Sequence, residues 1–316
     1  DNPLGTQQEI QTQIDDTAYR PAAYVEVDAR ILDPWRVVLG LRLDWYREIE
    51  RWSVDPRIVS IVSVTDSDRI KAGVGIFSQP PEFQESNDQL GNPNLNPLHA
   101  VHFGLGYERD IEQGFRVGVE LFYKHLWDRV VSTEFGLEPG FINDGIGRIY
   151  GAELSARVQP QGRRWFGFLS YTLSRSERRD GPDEPWRLFD FDQTHILNVS
   201  AVYRLGAGWE VGGTFRLVTG NPTTPVNSGV RSINAQNYNA LSGDINTVRN
   251  PYFHRLDLRV EKLWTFDDWK FALYLDIQNV YNATNPEGIL YQHDFRQSTE
   301  VPGLPIIPSL GVRGEL

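Results

Sequence analysis

The chain of 316 residues contains no cysteine and no methionine. Without thiols it forms no disulfide, carries no thiolate nucleophile and builds no Cys-ligated zinc site. Long apolar runs are missing too: mean hydropathy is −0.41, whereas a membrane-spanning helix needs about 20 consecutive apolar residues. That excludes transmembrane helices but not a membrane, because a transmembrane barrel gives lipid only every second residue. Positive charge is in deficit, with 31 Lys and Arg against 42 Asp and Glu. No basic cluster with interleaved aromatics offsets it, so nucleic acid is not an expected partner. The opening DNPLGTQQEI has no basic or apolar signal region and no initiator methionine, which predicts a processed chain or a piece of a longer one. Catalytic signatures are equally scarce. There is no G-x-S-x-G elbow and no H-E-x-x-H among the 6 histidines. His99 and His102, three apart on an expected strand, point to opposite faces and make a poor metal pair. His195 follows Asp190 and Asp192 and would complete a triad only beside a serine. The expectation is a non-enzyme with no catalytic residue, metal or cofactor.

What is present is alternation. In FHRLDLRVEKLWTFDDWKFALYLDIQNVYN (253–282), Leu256, Leu258, Val260 and Trp264 share one strand face, and Arg255, Asp257, Arg259 and Glu261 share the other. After a turn at Asp267-Asp268, Phe271, Leu273, Leu275 and Ile277 alternate with Ala272, Tyr274, Asp276 and Gln278. Residues 22–31 and 35–47 repeat the pattern, and in the second Trp35 and Trp45 bracket the aliphatic stripe Val37, Leu39, Leu41 and Leu43. Aromatics at both ends of such a stripe are what two interfacial girdles require. Further strands are expected near 57–64, 69–78, 101–109, 115–126, 148–158, 165–176, 196–205, 209–219 and 309–316. The total is about thirteen, with ends good to two to four residues.

The connections alternate in length. Short turns are expected at Leu32–Pro34, Thr65–Asp68, Glu112–Gly114, Pro160–Arg163, Gly206–Gly208 and Asp267–Asp268. Long polar loops are expected at Gln79–Ala100, Ser132–Gly147, Glu177–Thr194, Gly220–Tyr252 and Thr284–Pro308, with Glu48–Pro56 a shorter member of that class. This is how an outer-membrane barrel divides its two ends, and a sandwich has no reason to sustain it. Structured loops above about 12–15 residues are usually functional, so the long end is the expected working end. The fold predicted is an all-β, antiparallel up-and-down transmembrane β-barrel.

Several stretches carry a family resemblance in their order and spacing: GNPNLNPLHAVHFGLGYE (91–108), GRIYGAELSARV (147–158), FGFLSYTLSRSE (166–177), FDQTHILNVSAVYRLGAGWEVGGTFRLVTGNPTTP (191–225), FHRLDLRVEKLWTF and LDIQNVYNATNPEG. Together they resemble the C-terminal barrel of TonB-dependent outer-membrane receptors over nearly all of 17–316, with 1–16 the remnant of an outward loop. The closing PSLGVRGEL is similar to the strand such barrels present to the assembly machinery, although Leu316 stands where an aromatic is usual. The resemblance implies part of a larger barrel of about 22 strands around a plug. It also implies a TonB energy-coupling partner reached through that plug, and outer loops that bind siderophore-iron, cobalamin or glycan. A passive porin, an outer-membrane hydrolase using His195 and a soluble all-β binding module are the alternatives.

Two groups of residues follow as site candidates. Arg255, Asp257, Arg259, Glu261, Asp276, Gln278 and Arg313, with Glu315, Arg42, Asp44, Glu120 and Lys124, would line the lumen and meet the plug, or else form a solvated wall. In the loops, Trp186, Arg187, Phe189, Asp190, Asn237 and Tyr238 would stack on and orient a substrate, or else pack on neighbouring loops. No residue pattern identifies that substrate.

Overall fold

The computed structural model describes residues 19–88, 91–112, 114–133, 139–159, 162–231 and 238–316. Thirteen strands follow one another as antiparallel neighbours in a single sheet. They are β1 (Ala22–Leu32), β2 (Trp35–Tyr46), β3 (Arg51–Ser63), β4 (Asp68–Gln79), β5 (Leu98–Glu112), β6 (Phe115–Ser132), β7 (Phe141–Val158), β8 (Trp165–Arg179), β9 (His195–Gly206), β10 (Trp209–Val218), β11 (Phe253–Thr265), β12 (Lys270–Gln278) and β13 (Ile307–Glu315). The sheet is an open wall, with β1 and β13 at its two ends. The expected segment 1–16 lies outside the described residues.

Register converts the sequence alternation into two continuous faces. Across β9 to β13 one row runs Ala201, Gly213, Leu258, Ile277, Pro308, and the next polar row runs Ser200, Thr214, Asp257. Across β2 to β6 another apolar row runs Leu39, Ile58, Val74, Phe103, Tyr123. Leu39, Ile58, Val74, Phe103, Leu258 and Leu275 are all exposed on the apolar face. A soluble sheet would bury such a face against a core. The fully buried hydrophobic cluster, Tyr46, Ile49 and Leu95, with Val130 and Phe141 against it, instead sits at the long-loop end. The face this sheet shows outward is built for an apolar medium.

The short-turn end carries an aromatic belt on that face. Trp264 and Phe271 lie 5.6 Å apart between ring centroids, and Phe266 stacks on Trp269 at 4.4 Å across the β11–β12 turn. Lys262, on the same face, lays its ammonium 5.6 Å from the Trp209 ring and 5.5 Å from Trp264, and it donates to the Ala207 carbonyl. Its stem covers apolar surface while its head reaches the interface.

Strand boundaries correct two expectations. Glu48–Pro56 is not a loop: a 3-10 turn at Arg47–Ile49 leads directly into β3, which runs through Pro56. Residues before Arg57 pair only with β2, so the missing Pro56 N–H lies where a proline is tolerated. There the Asp55 carboxylate replaces the ladder, accepting the Ser78 N–H at 3.0 Å and its hydroxyl at 2.6 Å. β6 and β7 likewise extend past 126 and 148, through a register shift around Asp128, whose φ is +55°.

The motif QNVYNATNP owes its asparagines to backbone geometry. Asn279, Asn282 and Asn285 all have positive φ, a region Asn tolerates better than most side chains. Buried Asn279 donates to the carbonyls of Ala283 and Leu304 and accepts the Ala283 N–H, while Asn285 bonds both ways with the His254 backbone. Asn279→Ala removes three hydrogen bonds and strains φ, so it should lower stability by about 2–4 kcal/mol, read from thermal melts. Asn279→Gly, which relieves only the strain, should cost less.

Candidate functional site

The polar face of β10–β13 forms a connected charge ladder. Arg259 donates to Asp276 at 2.9 Å and to Glu261 at 2.5 Å, and its guanidinium lies 3.9 Å from the Tyr274 ring centroid. Arg313 reaches Glu261 at 3.2 Å and Glu315 at 3.3 Å, and Arg255 pairs with Asp257 at 2.9 Å. Asp257 also accepts the Asn279 N–H at 2.9 Å. Gln278 lies at the long-loop end of this face, beside Arg255, Asn279 and Glu287 in a hollow of about 400 Å³. Further round the wall Arg42 grips Asp44 with two bonds of 2.7 Å. The ladder is self-satisfied and half-wet, so Glu261→Gln should cost only about 1 kcal/mol in unfolding experiments.

The long-loop end is tied together by Asp192 and Arg249. Asp192 is buried and accepts the Ser176 N–H at 2.5 Å, the Arg249 guanidinium at 2.5 Å and the Thr194 hydroxyl at 3.2 Å. Arg249 also donates to the carbonyls of Asp192 and Gly220. A second tie joins Asn246 to the Asp190 carboxylate at 2.5 Å and to the Leu188 carbonyl at 2.9 Å. These bonds fasten the β8–β9 loop to the β10–β11 loop.

Against that frame the sequence candidates separate. Arg187 pairs opposite Arg178 where a two-residue strand, Arg187–Leu188, docks on β8. It donates to Asp180 at 2.9 and 2.6 Å, and Asp180 lies 3.5 Å from Arg129. Phe189 stacks under the Arg178 guanidinium at 4.2 Å and meets Phe191 edge-on at 5.5 Å. Trp186 lies against Arg148 and Arg179, at 4.3 and 5.5 Å. Both arginines belong to the strand face opposite Arg178, since Arg148 is paired with Glu177 and Arg179 is two residues further on. Tyr238 sits apart, at the start of the Tyr238–Ser242 strand and 5.9 Å from His293. Asn237 lies outside the described residues.

The polar side of this cluster is cationic. Arg129, Arg178 and Arg187 face Asp180 and Asp190, three guanidiniums to two carboxylates. Arg178 is 5% exposed, and burial with the nearby Arg129 and Arg187 pushes its guanidinium down to about 10, still charged at neutral pH. Burial lowers Arg129 as well, against the pull of Asp180. The buried Nε of Arg178 and Nη1 of Arg187 have no hydrogen-bond partner; the latter lies 3.7 Å from Asp190, beyond hydrogen-bond reach. Unpaired buried donors are costly. The sequence pattern alone does not single out Arg178 or Arg129. Extending the β8 alternation past Ser176 would have found Arg178, but Arg129 depends on the register shift at Asp128.

The suggested His195 triad does not form. Its Nδ1 is bonded to the Tyr171 hydroxyl at 2.8 Å, while Asp190 and Asp192 serve Asn246 and Arg249. Among the described residues no group of three or more His, Asp or Glu could hold a metal ion, and no helix is long and apolar enough to cross a membrane.

Comparisons with known proteins agree with this architecture. The family model described as "TonB dependent receptor-like, beta-barrel" matches residues 1–280. The siderophore receptor PirA from Acinetobacter baumannii superposes with a TM-score of 0.69 at 16% identity, over 94% of this chain and 46% of that one. The ferric-catecholate import receptor Fiu from E. coli K12 gives 0.68 at 14% identity, over 93% and 44%. The FrpB iron transporter from Neisseria meningitidis gives 0.64 at 16% identity, over 93% and 45%. No curated protein sequence matches. The chain thus spans less than half the length of these receptors, and at such identities the likeness establishes the fold. The apolar face is that of an outer-membrane wall, and the chain belongs to the TonB-dependent receptor-like β-barrel family.

Proposed function

We propose that this chain is part of the wall of an outer-membrane receptor that takes up a scarce anionic iron chelate by TonB-energised transport. The observation that carries the substrate class is the inward-facing cluster of Arg129, Arg178 and Arg187, three guanidiniums against the two carboxylates of Asp180 and Asp190. The similar receptors for siderophores and iron supply the metal. On this reading Arg187, Phe189 and Asp190 border the binding region, and Asn237 and Tyr238 remain candidate substrate contacts. Arg255, Asp257, Arg259, Glu261, Asp276, Gln278 and Arg313 face a plug carried elsewhere in the receptor, through which TonB acts. β13 carries PSLGVRGEL, the segment similar to the strand such barrels present to the assembly machinery, and on this reading that machinery is its partner.

The test uses iron-starved cells expressing the intact receptor and radioactive ferric citrate as probe. Uptake should vanish when TonB is deleted, and Arg187→Gln should weaken binding about tenfold or more, the loss of one charge-assisted hydrogen bond. Uptake that persists without TonB would instead indicate a passive channel. Unchanged binding by the variant would remove the anion reading.

A further inference from the structure

Above its aliphatic band, the lipid face carries a group of charges that substrate recognition does not use. Arg148 and Arg175 lie on that face with Tyr150, Tyr171 and Leu173, because β7 and β8 pair without a register shift from Ile146 to Val158. One carboxylate holds both: Glu177, with its side chain 7% exposed, accepts the Arg148 Nε at 2.6 Å on one oxygen and the Arg175 Nε at 2.7 Å on the other. The terminal nitrogens of both guanidiniums lie outside these bonds, on side chains 36% and 54% exposed. Two cations against one anion leave a net positive charge, and Arg179 adds another beside Trp186. Trp186 stacks on Arg148 from the loop side.

Depth places the cluster at an interface. Arg175 lies ten residues beyond Trp165, and a strand rising about 3.3 Å per residue at about 45° climbs roughly 25 Å over that stretch. That is about the height of the apolar band of an outer-membrane barrel, so the pair stands where lipid headgroups begin. Further round the same face, across β3 to β6, the wall is dented. Ser60 and Ala72 form the floor of a groove of about 550 Å³ walled by Phe103, Leu105, Leu121 and Tyr123. One row of opposed residues joins the two features: Phe103, Tyr123, Tyr150, Arg175.

We propose that this surface binds a phosphorylated lipid of the outer leaflet, its phosphate between Arg148 and Arg175 and an acyl chain in the Ser60–Ala72 groove. The groove faces hydrocarbon, so its occupant is an acyl chain, and the adjoining charge selects an anionic headgroup. Glu177 holds the two guanidiniums in place, and Trp186 covers Arg148 in the way an interfacial tryptophan covers a headgroup contact.

The experiment is native mass spectrometry of the intact receptor in uncharged detergent, with bisphosphorylated lipid A as probe. The wild-type protein should retain lipid A at least tenfold better than the same lipid with its phosphates removed. Arg148→Gln with Arg175→Gln should lose that preference, and Ala72→Phe, which fills the groove, should weaken retention while leaving the pair intact. Equal retention of phosphorylated and dephosphorylated lipid by the wild-type protein overturns the proposal without any variant having to fold. So does unchanged retention by the double variant. If inorganic phosphate displaces the lipid completely and Ala72→Phe has no effect, the pair is a simple anion site and the lipid assignment fails.

Discussion

Asp192→Ala should destabilise the long-loop end by about 3–5 kcal/mol, the range for removing one partner of a buried ion pair. The side chain of Asp192 is wholly buried, and its loss leaves Arg249, 27% exposed, without a counter-ion. It also strips the acceptor from the Ser176 N–H at the outer end of β8. The expected readouts are a lower melting temperature in detergent and faster proteolysis within 220–252. Removing both partners, as in Asp192→Ala with Arg249→Leu, should recover part of the loss, because no unpaired charge then remains. If the single and double variants melt alike, the pair is not what fastens the two loops.

Leu275→Arg should cost about 2–4 kcal/mol, the value for a cation near the bilayer midplane on the lipid face of a barrel. Leu275 is exposed in the middle of β12, opposite Val260 and Leu310 on the same apolar face. Gln278→Arg, on the polar face, should cost much less because that side is wet. Refolding into lipid vesicles under denaturant titration gives both numbers. Equal costs would mean that the two faces have been exchanged.

The parts of this structure legible in the sequence are those governed by period two. Leu256 to Trp264 and Phe271 to Ile277 settle their own faces, since a one-residue slip would turn each stripe into the lumen. The strand count and the short and long ends follow from the same pattern and its turn residues. Legibility fails where a side chain takes over a backbone role. β3 starts at Arg51 because Asp55 stands in for ladder bonds beside Pro56, a substitution that propensity reads as a loop. β6 and β7 run on because Asp128 absorbs a register shift with positive φ. The loops were least readable, since their ties are long-range: Asp192 and Arg249 are 57 residues apart. Composition could nominate Trp186, Arg187 and Phe189 together, but only the β8 register shows that Trp186 meets arginines of the apolar face while Arg187 joins those of the polar face.

If one face of this sheet meets lipid and the other a polar lumen, probes on alternate residues of a strand meet different media. The chain has no cysteine, so single cysteines can be placed along β11 and β12 of the intact receptor, with any cysteine elsewhere in it replaced by serine, labelled with a fluorophore and reconstituted in vesicles of brominated lipid. Quenching should alternate residue by residue, strong at 258, 260 and 275 and weak at 257, 259 and 276. Uniform quenching along either strand, or the opposite alternation, would contradict that assignment of the two faces.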